Sequence, residues 1–114
     1  IASFQAVKHK AADMMVKVEA ARSASYYAAC IAQEFLAGSA TADELAEAAS
    51  VAKAACSEAY LFNAGCGIQL HGGVGFTWEY DIQLYFKRAK SSETLLGNAS
   101  HHRERLAALL LDEA

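Results

Sequence analysis

The sequence predicts an all-α protein, an antiparallel four-helix bundle of two long helices and two shorter ones. Three observations carry that expectation. The chain of 114 residues contains no proline, so nothing removes a donor from the hydrogen-bond ladder of a long helix. Apolar residues recur at three- and four-residue steps, the spacing that lays one stripe along a helix. Helix-starting Ser, Thr and Asn and helix-stopping Gly stand at the ends of those stripes, and no stretch reads convincingly as a strand.

The first helix is expected to run from an N-cap at Ser3 to a stop at Gly38. Its stripe is Phe4, Val7, Ala11, Met14, Met15, Val18, Ala21, Ala28, Ile31 and Phe35, and such a helix is roughly 50 Å long at ~1.5 Å per residue. Gly38 suits the left-handed backbone position that closes a helix. The segment "TADE" then reads as a capping box, with Thr41 as N-cap and Glu44 three residues on. The second helix follows through Leu45, Ala48, Ala52, Ala55, Ala59 and Phe62 towards Leu70, and its small residues let a neighbouring helix approach closely. A third helix is expected from about Tyr80 to Leu96, with Leu84, Phe86 and Ala89 inward and Gly97 as its end. Asn98 caps the fourth, whose stripe is Leu106, Leu109 and Leu110.

Composition narrows the function. A hydrophobic fraction of 54% and a charged fraction of 20% suit one domain with a real core and argue against disorder. The net charge of -3 argues against nucleic acid as the main partner. No uncharged apolar run reaches the ~18 residues of a membrane span, so no membrane association is expected. Cys30, Cys56 and Cys66 form no CxxC pair, and they read as small, reduced core residues of a cytoplasmic protein. The chain opens with Ile1, without an initiator Met, a signal peptide or a transit peptide. It is therefore expected to be a fragment of a longer polypeptide, with residues 1–114 forming one domain of it.

The stretch "GIQLHGGVGFTWEYD" (67–81) breaks the pattern, because three glycines fall within four positions and each costs up to ~1 kcal/mol in or near a helix. "GGVG" is neither GxGxxG nor GxxxxGK[ST], and it follows a helix where those phosphate motifs follow a strand. A helix stop needs only one glycine. Extra glycines are expected where a ligand or another backbone comes very close, and exposed N–H groups at such a turn are natural partners of phosphate oxygens. The adjacent His101 and His102 diverge by about 100° on a helix, so they do not share a metal easily. "YFKRAK" (85–90) is an ordinary amphipathic stretch rather than a nucleic-acid surface.

The blocks "SFQAVKHKAADMMVKVEAARSASYYAA" and "IQLHGGVGFTWEYDIQLYFKRAK" together resemble the C-terminal helical domain of the acyl-CoA dehydrogenases, and the wording "HGGVGFTWEYD" resembles the actinobacterial branch of that flavoprotein family. The similarity covers essentially the whole chain. It implies an FAD-dependent oxidoreductase of lipid metabolism that desaturates the Cα–Cβ bond of an acyl-CoA substrate. Electrons then pass to an electron-transferring flavoprotein, and the subunits assemble as a homo- or hetero-tetramer. By itself the fragment is expected to be inactive.

The resemblance also assigns residues. The family's Gln-x-x-Gly-Gly motif matches Gln69, Gly72 and Gly73 and implies contact with the FAD of a neighbouring subunit. Gln5 matches a glutamine that similarly reaches the cofactor. Leu96 and Gly97 match the substrate-facing Glu-Gly of the medium- and short-chain members, and Asn98 matches a threonine beside the cofactor. Leucine cannot take a proton, so no residue of this chain is expected to be the catalytic base. Glu93, one turn earlier, reads as a surface residue. The alternative is a non-catalytic structural subunit of a heteromeric acyl-CoA dehydrogenase.

Overall fold

The computed structural model describes residues 2–71 and 76–112, and these form four helices: α1 (Ala2–Leu36), α2 (Ala42–His71), α3 (Phe76–Thr94) and α4 (Ala99–Asp112). No strand occurs among the described residues. The helix-end chemistry matches the sequence reading closely. After α1, Ser39 N–H donates to Glu34 C=O at 2.8 Å and Gly38 N–H to Phe35 C=O at 3.1 Å, with Gly38 at φ +86°. That pair of bonds closes a Schellman turn. Thr41 and Glu44 then exchange backbone-to-side-chain bonds of 3.1 Å in both directions, which completes the capping box. Three boundaries differ. Helix α1 already contains Ser3, which therefore is not its cap. Helix α3 starts at Phe76, four residues before the expected Tyr80, because the aromatic run after the glycines is itself helical; it ends at Thr94, ahead of the left-handed Leu96.

Helices α1 and α2 form a long antiparallel hairpin. Asn63 Nδ2 donates to Met14 C=O at 3.3 Å, and Cys56 Sγ to Ala21 C=O at 3.6 Å. One step of seven up α1 matches one step of seven down α2, the repeat of a coiled-coil seam. The inward side of α1 accordingly runs through Met14, Ala21, Ala24, Ala28 and Ile31. Several bulkier members of the expected stripe lie outside it: Val7, Met15, Val18 and Phe35 are exposed. Between Met14 and Ile31 the inward positions are alanines, whose small side chains permit close approach of the two helices.

Helix α2 packs against all three other helices. Its buried residues are Ala48, Ser50, Ala54, Ser57, Ala59, Ala64, Cys66 and Gly67, a set that leaves room for a neighbour on every side. The expected small-residue approach surface is thus realised around most of the helix. On α3, Ala89 is buried but Leu84 is exposed; on α4, Leu106 and Leu109 face inward while Leu110 is 52% exposed. The inward stripe of α4 instead begins with Ala99 and His102. Cys30 corrects the expectation of three core cysteines. It is exposed on the outer side of α1, whereas Cys66 is buried and Cys56 half-buried; all three are free thiols. No helix among the described residues is long and apolar enough to cross a membrane.

Candidate functional site

The sequence-predicted site residues fall into two clusters at different levels of α2. The first lies where the start of α1 meets the end of α2. Gln69 is exposed there, and its side-chain oxygen accepts a hydrogen bond from the Lys10 ammonium. That contact orients the amide, because only the oxygen end can accept, and it presents the NH2 end of Gln69 to an acceptor. The same residues border an open cleft of about 500 Å³ with Asp13, Phe62 and Gly65. Gln5 lies nearby in sequence on α1, exposed, with its Nε2 3.5 Å from His9 Nε2. Gly72 and Gly73 lie outside the described residues.

The second cluster is the turn between α3 and α4, which holds Leu96, Gly97 and Asn98. Leu96 is left-handed at φ +60° and Gly97 at φ +99°. A leucine in that region is uncommon, since its Cβ crowds the following carbonyl at a cost of roughly 1–2 kcal/mol. Its side chain gains little in return within this chain, being 81% exposed. Gly97 is required twice over: besides its φ, an added Cβ would lie 2.5 Å from His101 Cδ2 and 3.1 Å from His102 Nε2. Asn98 Oδ1 accepts from His101 N–H at 2.8 Å and caps α4 as expected. The carbonyl end of the Asn98 side chain is therefore engaged in the cap.

Two residues hold this turn, Lys53 and His102, and sequence reasoning gave neither of them that role. Lys53 Nζ, reaching across from α2, donates to the carbonyls of Ser92 (3.0 Å), Glu93 (3.2 Å) and Gly97 (3.0 Å), and to Ser57 Oγ at 2.8 Å. An ammonium placed on the open carbonyls of a helix C-terminus satisfies orphan acceptors and complements the helix dipole. On the other side, buried His102 donates through Nε2 to Leu96 C=O at 2.8 Å. A carbonyl can only accept, so Nε2 carries a proton. Nδ1 lies 3.3 Å from the hydroxyl of Ser50, itself almost fully buried. The available signal for Lys53 was a single cation amid the small residues of "VAKAAC". For His102 it was the three-and-four spacing that links Ala99, His102, Leu106 and Leu109.

Lys53 and Gln69 lie more than four turns apart on α2, roughly 24 Å along the axis at ~1.5 Å per residue. The two clusters are therefore separate, and no compact ligand spans both. Glu93 is half-buried, and its backbone carbonyl is one of the Lys53 acceptors. Below the turn, Arg103 of α4 pairs with Glu58 of α2. Hydrogen bonding to that guanidinium holds the Glu58 carboxyl below its ordinary range, against a smaller opposing effect of burial. No group of three or more His, Cys, Asp or Glu side chains capable of holding a metal occurs among the described residues.

Comparison with known proteins agrees with the fold. The family described as acyl-CoA dehydrogenase, C-terminal domain, matches residues 1–111. Acyl-CoA dehydrogenase IpdE2 of Mycolicibacterium smegmatis is 43% identical over 108 residues, covering 95% of this chain and 31% of that protein. Its namesake in Mycobacterium tuberculosis is 46% identical over 96 residues, covering 84% of this chain and 26% of that protein. Acyl-CoA dehydrogenase FadE34 of Mycobacterium tuberculosis is 38% identical over 109 residues, covering 96% of this chain and 15% of that protein. No solved structure matches. The chain belongs to the acyl-CoA dehydrogenase C-terminal domain family, and it spans less than a third of the length of each of these relatives.

Proposed function

We propose that this chain is the C-terminal helical domain of a flavin-dependent acyl-CoA dehydrogenase, supplying subunit contacts and part of a neighbouring subunit's FAD site. The family match over residues 1–111 is the observation that carries this reading. Bound FAD supplies the hydride acceptor for α,β-desaturation of an acyl-CoA thioester, and an electron-transferring flavoprotein is the partner that takes the electrons onward.

The residues present suit a diphosphate-bearing ligand. Lys10 contributes a positive charge beside the cleft, and Gln69 presents an amide oriented by Lys10. Gln69, Gly72, Gly73 and Gln5 would hold the diphosphate and adenosine part, with glycine admitting a close approach and its amides facing the phosphates. Leu96, Gly97 and Asn98 would border the acyl thioester and the cofactor ring. The separation of the two clusters along α2 supports a division of labour, in which the Gln69 end serves a neighbour's cofactor. Exposed Met15, Val16, Tyr26, Tyr27 and Leu36 on α1 support burial against other parts of an assembly.

A second reading is a non-catalytic subunit of a heteromeric acyl-CoA dehydrogenase. Leu96 favours it, because the substrate-facing turn carries no group able to remove a proton. One experiment addresses both. The full-length protein is purified alone and with its partner subunit, and flavin per chain and acyl-CoA-dependent reduction of an artificial electron acceptor are measured. The leading reading expects bound flavin, turnover by the protein alone, and weaker flavin retention in Gly73→Val. Turnover only in the presence of a partner selects the second reading, and full flavin occupancy in Gly73→Val removes the assignment of that glycine.

A further inference from the structure

We propose that Lys53 is a positioning residue for acyl-CoA binding, fixing the backbone of the Leu96–Gly97 turn from the opposite helix. This rests on the reading above that the turn borders the acyl thioester. Lys53 belongs to α2, yet its ammonium has three of its four acceptors at the end of α3 and in the following turn: Ser92, Glu93 and Gly97. A strong local tie is needed there. Two successive residues hold positive φ, one of them a leucine, and such a conformation persists only where the surroundings over-determine it.

Leu96 gains little from contacts within the chain, so its placement depends on its backbone. His102 clamps the Leu96 carbonyl and Lys53 clamps the carbonyl of the next residue, Gly97. Lys53 is the stronger candidate for control. Its charge-assisted bonds exceed neutral ones in strength, and a lysine head satisfies several dispersed carbonyls where a planar guanidinium would impose one plane. Ser57 Oγ, one turn along α2, braces the head.

The test uses the full-length protein and the variants Lys53→Met and Ile31→Ala. Ile31 is buried in the α1–α2 seam and serves as a control for general loss of stability. Three quantities are read: melting temperature, deuterium exchange of peptides covering residues 94–99, and the dissociation constant for butyryl-CoA as probe. Lys53→Met is expected to speed exchange in that segment and to weaken butyryl-CoA binding by about tenfold or more, the scale of a misplaced positioning group. Ile31→Ala is expected to lower the melting temperature while leaving both other readings near wild type.

Unchanged exchange at 94–99 in Lys53→Met overturns the inference. So does faster exchange with unchanged affinity, or an equal loss of affinity in Ile31→Ala. A wild-type protein that binds neither butyryl-CoA nor longer acyl-CoA thioesters overturns the underlying reading instead, and this is seen before any variant is made. Should Lys53→Met fail to fold, Lys53→Gln keeps a polar head at shorter reach and is judged by the same three readings.

Discussion

His102 holds the backbone of Leu96: its Nε2 donates to the Leu96 carbonyl at 2.8 Å from within α4, while its other ring nitrogen faces the buried hydroxyl of Ser50 on α2. One imidazole thus joins two helices and the turn between α3 and α4. His102→Ala is expected to destabilise the full-length protein by about 1–3 kcal/mol, since it leaves Ser50 with a polar group facing a cavity. His101 is exposed, so His101→Ala should cost distinctly less. Chemical denaturation of both variants checks this, and equal losses would count against the role given to His102.

Leu96→Asn is expected to stabilise the protein. The backbone at φ +60° disfavours leucine, whereas asparagine visits the left-handed region more readily. With the leucine side chain 81% exposed, little burial is lost, and a gain of about 0.5–1 kcal/mol is expected from relief of the backbone. A fall in melting temperature would mean that another part of the full-length protein covers this leucine.

The Glu58–Arg103 pair gives a pH dependence of defined sign. Arg103 holds the Glu58 carboxyl below its ordinary value of 4.5 in the folded state, so the folded protein binds this proton less readily than the unfolded chain. The stabilisation is fully present above the unfolded value and disappears as pH falls through the folded one. Both side chains are substantially exposed, so solvent and salt keep the effect small. Melting temperatures of wild type and Glu58→Gln should therefore converge as pH drops below about 4.5. A difference that stays constant down to pH ~3 would contradict the linkage.

Glu93→Gln is expected to leave turnover of the full-length enzyme, or of its heteromeric complex, within a few-fold of wild type. Glu93 sits in the last turn of α3, half-buried, whereas Leu96 lies beyond the helix end in the left-handed turn, and a base must approach within about 3 Å of its proton or use one bridging water. Loss of a true base costs at least about a hundredfold. Such a loss in Glu93→Gln, with flavin bound and assembly intact, would make Glu93 a relocated base.

Helix ends were the most legible part of this chain. Gly38, the Thr41–Glu44 box, Gly97 and Asn98 all work through bonds to residues at most five positions away, so short patterns are enough to reveal them. The faces of the helices were less legible. Met14, Ala21, Ala28 and Ile31 of the expected stripe do face inward, but bulk also marked Met15 and Val18, which are exposed, while Ala24, whose small side chain carries a weak periodic signal, was passed over. Lys53 was invisible for another reason. Its partners lie about forty residues away, and nothing local to "VAKAAC" indicates that the carbonyls of another helix end there.

The packing of every other helix on α2 has a kinetic meaning. Among the described residues, helices α1, α3 and α4 have few or no direct contacts with one another, so each can part from the shared partner without dragging a second with it. Slow-exchanging amides should then concentrate in the middle of α2, where release requires all three neighbours to leave, with α1 opening as a separate unit.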